Sequence, residues 1–76
     1  GEWVAEVTHS ENLVIVRTPP GCAHVVASAL DRSGIDGLLG TVAGDDTMMC
    51  VATDAVGGRQ LAVAMRELAG IEGVHE

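Results

Sequence analysis

Leu13-Val14-Ile15-Val16 is apolar at every position and β-branched at three of four, the composition of a central strand covered on both faces. Thr18-Pro19-Pro20-Gly21 ends that strand and opens a helix, because Pro is tolerated in a first helical turn and Thr18 is placed to cap it. The helix runs to about Arg32. Its expected core face is Cys22, Val25, Val26, Ala29 and Leu30, an i, i+3, i+4, i+7, i+8 stripe, while His24, Ser28 and Asp31 share another face. Gly34 supplies the stop.

Upstream, residues 2–8 mix alternation with a short apolar run, as in a strand with one face partly solvated, and His9, Ser10, Glu11 and Asn12 read as a hairpin turn. Downstream, residues 38–42 and 47–52 are two more strands, joined across Ala43-Gly44-Asp45-Asp46. The last helix covers residues 57–68 with Leu61, Met65 and Leu68 as its apolar stripe and Thr53 or Asp54 near its start, and the tail from Gly70 reads as frayed. The order ββαββα predicts an α+β two-layer sandwich: a four-stranded antiparallel sheet with both helices on one face. The other face is then bare. Because Val14, Val16 or their neighbours, and some of Met48, Met49, Cys50 and Val51, must point that way, this face is expected to pack against other subunits.

Seventy-six residues make one domain, of a size that buries only about 60% of its unfolded surface. The residues are 47% hydrophobic, with Trp3 the single aromatic, so the core is built from Val, Leu, Ile, Ala and Met. That many aliphatic side chains exclude disorder and raise the expectation of an oligomer. A net charge of −7 without any cluster of Lys or Arg excludes binding of nucleic acid by this domain alone. It suits a cationic small ligand without singling one out. Cys22 and Cys50 stand in no metal-ligand spacing and are expected as two buried, reduced thiols. No apolar run approaches a membrane span and no signal peptide is visible, so a cytoplasmic location is expected. The chain begins at Gly1 rather than Met and reads as part of a longer protein.

Two groups of residues carry chemistry. Asp45 and Asp46 are adjacent carboxylates at a Gly-containing turn and repel each other unless each has a partner or water. A guanidinium or ammonium ligand supplies that partner; equally, both serve as turn formers, one accepting backbone N–H bonds and the other solvated. His24 and Asp31, seven residues apart with Ser28 between, line one helix face. They form either a solvated face or one wall of a pocket for a zwitterion, with the amides of residues 21–23 facing its carboxylate.

Asn12-Leu13-Val14-Ile15-Val16-Arg17-Thr18-Pro19-Pro20-Gly21, the helix end Ala29-Leu30-Asp31, and Leu39-Gly40-Thr41-Val42-Ala43-Gly44-Asp45-Asp46-Thr47 resemble, in order and spacing, the signature of the bacterial arginine repressor C-terminal domain. The resemblance covers roughly residues 12–68. It implies a hexamer built from two trimers, with L-arginine as corepressor at the trimer–trimer interface, no other cofactor, and a winged-helix DNA-binding domain upstream of this chain. Carried over by position, Asp45 is the main guanidinium partner, contributed across the interface, with Asp46 beside it. Asp31 and His24 hold the amino-acid end, helped by backbone at Ala23 and Ala43, with Thr41 in support; some members carry Gln at the His24 position.

The function expected is therefore arginine sensing by the repressor of arginine biosynthesis genes and, in some members, of catabolic ones. Operator DNA is contacted only through the upstream domain. Alternatives are an amino-acid-binding regulatory domain of a metabolic enzyme, a pure oligomerisation domain, and an enzyme using Asp45 and Asp46 as an acid–base pair with His24 as proton carrier. Against the last, no nucleophile, metal cluster or phosphate loop accompanies them.

Overall fold

A computed structural model describes Val4 and residues 6–69. The elements are β1 (Glu6–Ser10), β2 (Leu13–Arg17), α1 (Ala23–Ser33), β3 (Leu38–Ala43), β4 (Thr47–Ala52) and α2 (Gly57–Ala69), the expected ββαββα order. All neighbouring strands are antiparallel, and the sheet order is β1-β2-β4-β3. β2 and β3 both run against β4 and are thus parallel to each other, so α1 is a crossover over the place that β4 fills.

The first hairpin is tighter than expected. His9 and Ser10 belong to β1, paired with Val14 and Leu13, which leaves only Glu11 and Asn12 for the turn. Glu11 takes φ 54, the left-handed conformation that a two-residue hairpin loop demands. Pairing continues as far as such a loop permits because each added pair satisfies backbone groups. Trp3 and the tail from Gly70 lie outside the described residues.

Strand alternation sorts the side chains onto two faces. Val7, Val14, Val16, Met48, Cys50 and Ala52 are buried beneath Ala23, Val26 and Leu30 of α1 and Leu61, Ala62 and Met65 of α2. The face that α1 buries is rotated from the expected one: Val25 is 52% exposed, Ala29 is exposed and half-buried Cys22 precedes the helix. Residues 22–30 are apolar on both flanks of Val26 and Leu30, so two overlapping stripes fit the pattern equally well. The tether of the Ala23 amide to the Asp45 carbonyl, 3.3 Å, selects one. Thr18 does not cap α1, since its hydroxyl donates to the Pro19 carbonyl at 2.9 Å and Cys22 holds the N-cap position without a side-chain capping bond. At the far end Gly34 is left-handed, as expected of the stop. In α2, Leu61 and Met65 are buried as expected, whereas Leu68 is 55% exposed.

The opposite sheet face has no covering element among the described residues. It carries Leu13, Ile15 and Arg17 of β2, Met49 and Val51 of β4, and Gly40 and Val42 of β3. Val42 is 65% and Leu39, at a β-bulge, 70% exposed. β1 adds Glu6, Thr8 and Ser10, so the face grades from polar at the β1 edge to apolar at the β3 edge.

α2 approaches the first hairpin at Gly58, whose amide donates to the Glu11 carbonyl at 2.9 Å. A Cβ at this position would overlap that carbonyl oxygen and lie 3.1 Å from the Leu13 oxygen. At the other end of α2, Nη2 of half-buried Arg66 donates to the Val7 carbonyl at 2.7 Å, which ties the helix along β1.

Candidate functional site

The pairing of Arg17 with Thr47 brings the end of β2 beside the turn between β3 and β4. The chain leaving β2 is then fastened to that turn by backbone bonds. Thr18 N–H donates to the Asp46 carbonyl at 2.8 Å, and the Gly21 and Ala23 amides donate to the Asp45 carbonyl at 3.0 and 3.3 Å. The turn itself closes through Gly44 N–H to the Thr47 carbonyl, 2.8 Å, with Ala43 already part of β3 and paired with Met48. Both Asp carbonyls therefore face the protein, and both side chains are exposed.

The two carboxylates are not equivalent. Asp46 accepts a hydrogen bond on Oδ1 from the Thr47 hydroxyl at 3.0 Å, whereas the Asp45 carboxylate has no donor or cation of this chain beside it among the described residues. A free, exposed carboxylate next to a partly satisfied one is the stronger acceptor for an incoming cation.

The remaining candidates fall along one edge of the domain. His24, Ser28 and Asp31 are exposed on α1. Thr41 and Ala43 share the helix-facing side of edge strand β3, paired with Cys50 and Met48. The Thr41 hydroxyl donates to Cys50 Sγ at 3.8 Å. Burial pushes the Cys50 thiol above 9.0, the Thr41 hydrogen bond opposes the shift and the Asp31 charge adds to it, which puts Asp31 within electrostatic reach of this strand pair. Ala23 is fully buried.

One expectation about the helix start changes. The Gly21 and Ala23 amides are taken by the Asp45 carbonyl, and that of Cys22 by the Pro19 carbonyl at 3.1 Å, so none of them is free for a ligand carboxylate. Among the described residues the amides without a backbone acceptor at this end are those of His24 and Val25, inside the first turn. Reading residues 19–21 as helical had placed the helix start too early.

A family model for the arginine repressor, C-terminal domain, matches residues 1–67. The chain belongs to this family. The arginine repressor C-terminal domain is a regulatory domain of a repressor. Among the described residues no group of three or more His, Cys, Asp and Glu is placed to hold a metal ion. No helix among them is long and apolar enough to cross a membrane. Cys22 and Cys50 are both free, Cys50 buried as expected and Cys22 half-buried.

An open groove of about 340 Å³ lies between the helices, lined by Ser33, Ile35, Ala64, Glu67 and Leu68, and contains none of the candidate residues. His24, Asp31, Asp45 and Asp46 are instead exposed along the domain edge, with Thr41 and Ala43 half-buried. A small ligand gains little burial on such an edge unless a second surface closes over it.

Proposed function

We propose that this chain is the L-arginine-sensing and oligomerising domain of a cytoplasmic transcriptional repressor that controls arginine biosynthesis genes and, in some organisms, catabolic ones. Three copies form a trimer and two trimers a hexamer, with arginine held between trimers as the corepressor. Asp45 takes the guanidinium across the interface with Asp46 beside it. Asp31 and His24 take the amino-acid end, with backbone at Ala43 and Thr41 in support. The buried methyl and engaged amide of Ala23 leave it only an indirect part. Operator DNA is bound by a winged-helix domain upstream of this chain.

The observation that carries this reading is the exposed Asp45 carboxylate on an open edge, with no donor or cation beside it among the described residues. An edge site is completed only by a second copy, so a ligand bound there favours the assembled state by linkage. A guanidinium and a carboxylate match bidentately, each charge-assisted bond contributing about 1.5–3 kcal/mol once water is excluded. Citrulline keeps the shape of arginine and lacks its charge. Arginine is expected to shift sedimentation toward the hexamer where citrulline does not, and Asp45→Asn to weaken arginine binding by about tenfold to a hundredfold. Assembly that responds equally to both compounds, or survives Asp45→Asn unchanged, refutes the reading.

A further inference from the structure

We propose that Gly21 is the positioning residue for the Asp45 and Asp46 carboxylates, acting through the direction of one peptide bond. The inference rests on the arginine reading above. The Cys22 amide donates to the Pro19 carbonyl at 3.1 Å, Pro20 occupies the second position of this turn, and Gly21 occupies the third with φ +80. Pro at the second position and positive φ at the third define a type II turn.

The turn type decides what faces Asp45. Types I and II differ by about 150° in ψ of the second residue, which turns the peptide between the second and third residues nearly over. In the type II form the Gly21 N–H points at the Asp45 carbonyl, 3.0 Å away. In the type I form the Pro20 carbonyl would face it instead, an acceptor against an acceptor. The β3–β4 turn would then lose one of its three tethers and shift the acidic pair, while Thr18 and Ala23 still bind it from either side.

Space is not the constraint at this position. A Cβ on Gly21 would meet nothing within 4 Å, so a substitution acts through φ alone. A β-branched residue is driven out of positive φ, and Asn tolerates it. Val and Asn therefore separate the direction of the peptide from every other consequence of losing glycine.

The test uses the whole chain as wild type, Gly21→Val and Gly21→Asn, with Gly21→Ala in place of Val if the Val variant does not fold. Two quantities are measured: amide exchange at residue 21 relative to its unfolded-chain rate, and the ratio of arginine to citrulline affinity by calorimetry. Expected is faster exchange and an affinity ratio reduced about tenfold in the Val variant, one hydrogen bond's worth of positioning, with both quantities close to wild type in the Asn variant. A purely structural role would lower stability and leave the ratio unchanged. The proposal is overturned if Val keeps the wild-type ratio, or if Asn loses as much of it as Val. Failure of the arginine reading is seen separately, on the wild type alone, as equal affinity for the two ligands.

Discussion

Replacing Gly58 by Ala is expected to destabilise this domain, although Gly to Ala inside a helix ordinarily stabilises it by about 1 kcal/mol. Gly58 is the second residue of α2, and a Cβ there would overlap the Glu11 carbonyl oxygen and stand 3.1 Å from that of Leu13 and 3.2 Å from the Glu11 carbonyl carbon. All of these are backbone atoms of the first hairpin, so no side chain can rotate aside. Restoring ordinary carbon–oxygen contact at ~3.3 Å needs a retreat on the order of one ångström. That retreat stretches the 2.9 Å bond from the Gly58 amide to Glu11, and an unpaired buried amide costs about 1–3 kcal/mol. It also lifts Leu61 and Ala62, both fully buried, and overpacking of this kind costs about 1–3 kcal/mol more. Against the ~1 kcal/mol gain in helix propensity, the net loss is about 1–5 kcal/mol. In a domain of this size that lowers the melting temperature by roughly 5 °C or more. Melting is followed by circular dichroism at matched protein concentration, since association raises apparent stability. A Gly58→Ala variant that melts at or above the wild-type temperature would refute the close approach of α2 to the hairpin.

Two further outcomes follow from other parts of the molecule. The chain contains neither Lys nor Tyr, so its thiols dominate the titration above pH 9. The folded state holds the Cys50 thiol above its unfolded 9.0, chiefly through burial; the stability this contributes is present in full below pH 9.0 and is lost as pH rises through the folded value. The melting temperature of wild type is expected to fall more steeply with alkaline pH than that of Cys50→Ala, and parallel curves would contradict the burial of a neutral thiol. On the open face, Met49 is 39% exposed between Ile15 and Val42. Met49→Glu is expected to alter the stability of a lone copy by no more than about 0.5 kcal/mol while reducing self-association, because an interface that buries this face would then bury an unpaired charge. Unchanged sedimentation would show that copies associate elsewhere.

The apolar run at residues 13–16 was legible as a central strand, and its alternation places Val14 and Val16 under the helices with Leu13 and Ile15 opposite. The turn at residues 44–46 was legible too, because Gly and Asp tolerate the conformations a short loop requires. The register of α1 was not. Apolar residues on both flanks of Val26 and Leu30 leave two stripes open, and the bonds from Gly21 and Ala23 to the Asp45 carbonyl that choose between them span more than twenty residues of sequence. The first hairpin loop is shorter than the sequence suggests for a related reason: His9 and Ser10 are polar and suit a turn, yet their backbones find partners in Val14 and Leu13.

For the candidate site, the residue types were visible as acids and a histidine, and the resemblance proposed their roles. Only the tertiary structure brings α1, edge strand β3 and the acidic turn to one edge, because β4 lies between the parallel strands that α1 connects. Only it shows that Asp46 is partly satisfied by Thr47 while Asp45 has no partner among the described residues, and that the amides of Gly21, Cys22 and Ala23 are already engaged. Periodicity and turn chemistry act over a few residues, so the sequence alone determined the elements, their order and the acidic turn. Which face is covered, which amide meets which carbonyl and which carboxylate is partly satisfied are settled by the packed fold.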